Sequence, residues 1–221
     1  MNDSTDTNVR RAGALDTATI SDALDRLGLV GQCYRIKPRD PGFRMAGRAF
    51  TILYGPAGAP AGTVGDFIDD VAPGSVVVLD NGGREDATVW GDILTEIAQR
   101  RGLAGTVIDG VNRDVQLCID LKYPVFSKSN WMRTGKDRVQ VEGMEVPVTI
   151  GGARVTCGDL LRGDADGVVV LPRKHEERIL EAAEQIQEAE AHIREACRSG
   201  LRLDEARKRF GYHQLQTRVK P

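Results

Sequence analysis

Histidine is scarce in this 221-residue chain: only His175, His192 and His213 occur, all in the C-terminal third. The turns that follow the strand-like segments therefore have no imidazole, which argues against a His-rich metal centre, a Ser-His-Asp triad or a phosphohistidine loop. Cysteine is sparse too. Cys33, Cys118, Cys157 and Cys197 are widely scattered with no C-x-x-C spacing, so a zinc knuckle is excluded and reduced, mostly buried thiols are expected. Neither a G-x-S-x-G elbow nor a G-x-G-x-x-G after a strand is present, which removes the hydrolase and dinucleotide fingerprints. GPAGAPAG (55–62) lacks the Lys-Ser/Thr ending of a phosphate loop and reads as a tight connector. No apolar run approaches the ~18 residues of a membrane span. The start, MNDSTDTNVRRAG, is polar with no apolar core like that of a signal peptide, so cytoplasmic residence is expected. A net charge of -2 leaves no basic excess for nucleic acid or a membrane surface.

Hydrophobic residues make up 41% of the chain and charged ones 28%, enough for one core under a well-solvated surface. TATISDALDRLG reads as a short helix stopped by Gly28, RMAGRAFTILY (44–54) as a strand, and TVGDFIDDV as a helix. PGSVVVLD is a strand that ends in the turn NGGRED. ATVWGDILTEIAQRRG, with Val89, Ile93, Ile97 and Ala98 apolar, is helical up to Gly102. LAGTVIDG and ADGVVVLP are buried strands, and EVPVTIGGARVTCG alternates about Gly151-Gly152 as a hairpin does. From Lys174 to Ser199 a long helix carries Ile179, Ile186 and Ile193 at heptad spacing, flanked by Ala182, Ala189 and Ala196. That narrow stripe suits a partner helix or subunit. The division expected is a mobile tail (1–12), an α/β domain (13–172) and a C-terminal helical extension (173–221) that packs on a neighbouring subunit.

Carboxylates, arginines and glycine-flanked strand ends are the chemistry that remains, and they suit a hard divalent cation such as magnesium or manganese. Asp80, Arg84, Glu85 and Asp86 follow one strand, and Arg113-Asp114 follow another. If the strands are neighbours, their C-terminal turns open onto one edge. Between them lies WGDIL, where Gly91 at a helix start lets a ligand approach free N–H groups that can hold a carboxylate. Asp92 would repel that anion unless a cation sat nearby. Taken singly, Arg113-Asp114 reads as a surface ion pair and Gly91-Asp92 as a plain helix N-terminus. Their spacing joins them: twenty residues separate Asp92 from Arg113, room for helix, turn and strand.

That D-x20-R-D set (Asp92, Arg113, Asp114) resembles the RraA-like family of class II pyruvate aldolases, typified by 4-hydroxy-4-methyl-2-oxoglutarate aldolase. So do WGDILTEIAQRRGLAGTVIDGVNRDV, YPVFSK and VPVTIGGARVTCGDLLRGDADGVVVLP, which extend the likeness over roughly residues 15 to 200. The resemblance implies an α/β/β sandwich (swivelling-domain-like) with a long C-terminal helix, assembled as a homotrimer or a dimer of trimers with active sites at subunit interfaces. It implies that Gly91, Asp92, Ile93 and Leu94 bind the pyruvate carboxylate, that Arg113 binds the keto oxygen and stabilises the enolate, and that Asp114 holds Mg2+ or Mn2+ with Asp92 in support. It also implies a carboxylate from a neighbour's C-terminal helix, for which Glu190, between Ala183 and Cys197 on the stripe's other flank, is the candidate over Glu188 and Glu195. The activity expected is cleavage of a 4-hydroxy-2-oxo acid to pyruvate and a second carbonyl compound, with oxaloacetate decarboxylation as a second activity. Arg84 is the candidate for a distal carboxylate; GPAGAPAG, GGRED and the tail RFGYHQLQ are other candidates for lining that end of the pocket. The alternative is a non-catalytic regulator that binds a ribonuclease, as other members of the family do; the complete motif counts against it.

Overall fold

A computed structural model describes residues 6–212. Helix α1 (Thr7–Ala14) stands where a tail was expected. Asp6 caps it, accepting from the amides of Asn8 and Val9, and Arg11 ties it to Glu184 at 2.7 Å. Short polar sequence hid this helix, because its stability comes from long-range partners rather than propensity. Helix α2 (Thr17–Leu27) follows, capped by Asp16 and closed by Gly28. Next come strands β1 (Lys37–Pro38), β2 (Met45–Pro56) and β3 (Val76–Arg84), then α3 (Asp92–Arg100), β4 (Gly105–Asn112), α4 (Val115–Asp120), β5 (Val125–Asn130) and β6 (Val139–Met144). The hairpin β7 (Val148–Ile150) and β8 (Ala153–Val155), strands β9 (Leu160–Asp164) and β10 (Gly167–Leu171), and helices α5 (Glu176–Arg198) and α6 (Leu203–Arg209) complete the chain. The expected helix over TVGDFIDDV is a single 3-10 turn at Ile68–Asp70.

Eight strands form one sheet in the order β1-β5-β4-β3-β2-β9-β10, with β6 also paired to β2. Strands β2, β3, β4 and β5 are parallel, so the C-terminal ends of β3 and β4 do open onto one edge. Val76–Leu79 and all of β4 are buried, which accounts for their unbroken apolar reading. Strand β3 runs on through NGGR, where a turn was expected, and the register shifts between Asp80 and Arg84. The β7–β8 hairpin lies over this edge: its Thr149 amide donates to Asp80 Oδ2 at 2.9 Å and its Gly151 amide to Asp109 Oδ2 at 2.8 Å. Asp80 is thus a structural clamp rather than a site group.

A second core joins Ala12, Leu15, Ile20, Ala23 and Leu24 of the N-terminal helices and their connection to Leu160, Val169, Leu171, Ile179, Leu180, Ala183 and Ile186. Helix α5 is therefore packed into the body of its own chain, not appended to it. Its isoleucine stripe, expected to face a partner helix or a subunit, is buried within the chain: Ile179, Ile186 and Ile193 are all below a tenth exposed. Of the two partners expected, helices of the same chain supply the apolar face. No described helix is long and apolar enough to cross a membrane.

Candidate active site

Asp92 opens α3 and Asp114 stands at the N-terminal end of α4, so two helix starts meet at the sheet edge. The meeting is made by backbone. The Arg113 amide donates to the Trp90 carbonyl at 3.0 Å, and the Asp92 amide donates to Asp114 Oδ2 at 2.9 Å. Arg113 Nε lies 3.1 Å from the same carboxylate oxygen. Asp114 itself is left-handed, φ 56°, an uncommon conformation that aspartate tolerates better than most residues and that clusters at functional sites. Gly91 leaves room for both side chains: a Cβ there would meet Asp114 Oδ2 at 2.8 Å and Arg113 Nε at 2.9 Å, so they would have to shift.

Beneath these groups is a buried polar relay that sequence reading did not single out. Thr95 Oγ1 accepts from Trp90 Nε1 at 2.9 Å and donates to the Gly91 carbonyl at 2.8 Å, with Cys118 Sγ 3.5 Å away. The Trp90 ring stacks on Tyr123, 6.1 Å between centroids and 8° between planes. Burial pushes the Cys118 thiol up despite its Thr95 contact, and it pushes Cys33 up to about 12, which disfavours the thiolate form of both.

A pocket of about 510 Å³ opens over this corner. It is lined by Thr88–Leu94 with Ile97 and Arg113, and its walls are completed by Val64–Asp66 with Ile68 and Asp69 and by Thr134–Gly135. Gly135 permits the close approach of that wall, since a Cβ would lie 2.3 Å from the Thr88 carbonyl. Ile93, counted above among the helix's apolar positions, is 68% exposed and lines the pocket instead.

The structure thus brings together Gly91, Asp92, Ile93, Leu94, Arg113 and Asp114. It does not bring Arg84 there. That guanidinium pairs with Asp86 Oδ1 at 3.0 Å and lies outside the pocket lining, because the shifted end of β3 turns it toward its own loop. Glu190, expected to act in a neighbouring copy's pocket, is ion-paired with Arg194 on α5 of its own chain. Neither GPAGAPAG nor GGRED contributes to the walls, and neither does the first half of RFGYHQLQ; its second half (213–216) lies outside the described residues. Asp66, Asp69, Thr88, Thr134 and Gly135 were missed, as nothing in their local sequence marks a pocket wall.

Asp92 and Asp114 offer oxygen donors only. Among the described residues no group of three His, Cys, Asp or Glu side chains could hold a metal ion. Asp114 Oδ2 is shared between Arg113 and the Asp92 amide, and Asp92 Oδ1 accepts from the Ile93 amide at 2.8 Å. Two carboxylates beside an open pocket fit magnesium or manganese, which bind through one or two carboxylates and fill the remaining positions with water and substrate oxygens.

An α/β protein with a carboxylate–arginine site at the C-terminal edge of its parallel strands is the class that fold and site define. The chain belongs to the RraA-like family, whose model, described as Aldolase/RraA, matches residues 17–170. It is 38% identical over 202 residues to protein DlpA of Legionella pneumophila, covering 90% of this chain but spanning only 33% of DlpA's length. It is 34% identical to a Halalkalibacterium halodurans protein named "Putative 4-hydroxy-4-methyl-2-oxoglutarate aldolase", over 78% of this chain and 80% of that one. A crystal structure of an uncharacterized protein from Pseudomonas syringae pv. tomato is similar with a TM-score of 0.85 and 41% identity, over 91% of this chain and 96% of that one. RraAS2 of Streptomyces coelicolor, described as an unusual member of the RNase ES inhibitor RraA protein family, is similar with a TM-score of 0.79 and 27% identity, over 86% of this chain and 96% of that one.

Proposed function

We propose that the protein is a divalent-metal-dependent aldolase that cleaves a 4-hydroxy-2-oxo acid to pyruvate and a second carbonyl compound, with oxaloacetate decarboxylation as a side activity. The observation that carries the reading is the meeting of Asp114 with Gly91, Asp92 and Arg113, which line one pocket: the Asp92 amide and Arg113 Nε both lie on Asp114 Oδ2, just outside that lining. The names of relatives such as the H. halodurans protein support the same chemistry.

In the reaction a water acting as base takes the C4 hydroxyl proton, the C3–C4 bond breaks with its electron pair going to C3, and C4 becomes a carbonyl. The C2 oxygen carries the enolate charge until C3 is protonated to give pyruvate. Magnesium or manganese, when held by Asp114 with Asp92 in support, supplies Lewis-acid stabilisation of that developing charge. The α3 N-terminus lines the pocket, and the substrate carboxylate would take over its Asp92 and Ile93 amides from Asp114 Oδ2 and Asp92 Oδ1. Arg113 faces the pocket and places its guanidinium by the keto oxygen, where it gains most as the charge grows. Gly91 leaves room for both side chains to lie across it. Apolar Val89, Leu94 and Ile97 reduce hydration around the reacting atoms.

A screen of 4-hydroxy-2-oxo acids and oxaloacetate for pyruvate release, with and without magnesium or manganese, tests the proposal. Metal-dependent pyruvate is expected, and no turnover on any of these substrates would refute it. Assembly as a trimer or dimer of trimers, in which Glu190 of one copy reaches another copy's pocket, belongs to the same reading. Sedimentation together with a Glu190→Gln variant tests it: a monomer with unaltered activity in the variant would remove both.

A further inference from the structure

We infer that Asn112 is a positioning residue for the metal-binding end of the site. Its buried carboxamide holds the peptide between Arg113 and Asp114, and so keeps Asp114 in the left-handed turn that aims its carboxylate. This rests on the reading of Asp114 as a metal ligand given above, although the turn itself can be tested without it.

A non-glycine residue at φ 56° stays there only when its surroundings impose it. Around Asp114 the peptide groups are gripped in succession. The Arg113 amide donates to the Trp90 carbonyl at 3.0 Å, and the Asp114 carbonyl accepts from the Leu117 amide at 3.1 Å and from Cys118 Sγ at 3.6 Å. Between them stands the Arg113 carbonyl, whose direction sets the plane of the 113–114 peptide and with it the φ of Asp114. That carbonyl accepts from Asn112 Nδ2 at 3.3 Å. The other end of the carboxamide is held too: Asn112 Oδ1 accepts from Ser127 Oγ at 2.8 Å, a hydroxyl that also lies 2.8 Å from the Ser129 carbonyl. A carbonyl can only accept, so the Arg113 oxygen takes the NH2 end and the carboxamide has one way round.

Asn112 and Ser127 are fully buried and outside the pocket lining, so neither touches substrate or metal. The β4–β5 ladder shifts register between Ile108 and Val111, and Ser127 of β5 reaches across this irregular stretch to the residue before Arg113. Without the carboxamide the Arg113 carbonyl can rotate, and the 113–114 peptide with it. Asp114 then relaxes out of its left-handed turn, and its Oδ2 leaves the Asp92 amide, now at 2.9 Å, and Arg113 Nε, now at 3.1 Å. Contacts that orient a ligand in this way are worth about tenfold or more in metal affinity.

The test is a manganese titration followed by water-proton relaxation, with no substrate present. Asn112→Leu should bind manganese about tenfold more weakly than the wild type and Ser127→Ala about threefold more weakly. KM for a 4-hydroxy-2-oxo acid at saturating manganese should change less than about twofold, since the pocket lining is untouched. A purely structural role would lower the number of folded sites and leave their affinity alone, so unchanged affinity in folded Asn112→Leu overturns the inference. Crystal structures of the variants give a second reading. Asp114 should leave its left-handed φ and its carboxylate the Asp92 amide; a turn that stays as it is overturns the inference whether or not metal binds. A wild type that binds no manganese and releases no pyruvate overturns the metal-dependent aldolase reading instead, and the crystal structures then decide the inference alone. Ser127→Ala carries both measurements if Asn112→Leu fails to fold.

Discussion

Arg113 and Asp114 are adjacent in sequence yet are given different work by one backbone angle. With Asp114 left-handed, its carboxylate turns back onto the Asp92 amide while Arg113 stays in the pocket lining. Asp114→Ala should abolish activity together with its metal dependence, and isothermal titration with manganese should lose its signal. Activity that survives with its metal requirement intact would show that the ligand has been misassigned. Arg113→Lys should lower kcat about 10²-fold, because an ammonium cannot reproduce the planar fork beside a developing oxyanion. Near-normal kinetics in that variant would remove Arg113 from the enolate. Gly91→Ala should cost a similar ~10²-fold by displacing both side chains, although its φ of -150° imposes no backbone strain. A crystal structure of the variant with Arg113 and Asp114 unmoved would contradict that account.

At the scale of elements, the site is a junction of two helix starts with the turns of β3 and β4, and Thr95 is the pin of that junction. The two buried apolar runs that form β3 and β4 were legible; that they pair, and so open onto one edge, was a condition that the sheet supplies. The Thr95 relay was not, because a threonine one turn into a helix carries no mark of a tryptophan N–H and a glycine carbonyl meeting on its hydroxyl. Thr95→Val keeps the shape but leaves Trp90 Nε1 and the Gly91 carbonyl without that partner, which should cost about 1–3 kcal/mol of stability. Thr95→Ser should restore most of it. Denaturant midpoints for the pair measure this, and equal midpoints for valine and serine would show that the hydroxyl holds nothing in place.

For the whole molecule, the N-terminal helices and α5 close one side of the sheet through charge as well as apolar contact. Arg48 bridges Asp6 at 2.8 Å and Glu176, and Asp164 accepts from the Thr17 hydroxyl and amide at 2.6 and 2.8 Å. Burial by itself would raise Glu176 and Asp164, but the hydrogen bonds from Arg48 and Asn8 to one and from Thr17 and Asp166 to the other outweigh it. Both carboxyls are held below their ordinary values of 4.5 and 3.8. A depressed folded-state pKa contributes stability above the unfolded value that is lost as pH falls through the folded one. The urea midpoint should therefore hold near neutrality and fall from about pH 4.5 downward. Asp164→Asn should lower the plateau and flatten part of that fall. A midpoint that stays level down to about pH 3 would deny these pairs their role.

The chain's own order of residues determined the alternation of strands and helices, the β7–β8 hairpin about Gly151-Gly152, the long C-terminal helix and the D-x20-R-D set. Periodicity, turn residues and spacing are local properties, and a local reading recovers them. Tertiary structure alone decided that α1 is a helix, that the isoleucines of α5 meet their own chain, and that Arg84 turns toward Asp86 instead of the pocket. It also chose Asp66, Asp69, Thr134 and Gly135 as the walls. Each of those outcomes depends on a partner far away in sequence, whether Glu184 for Arg11, Ile179 for Leu24 or Thr134 for Thr88, and no local pattern encodes which partner the folded chain will supply.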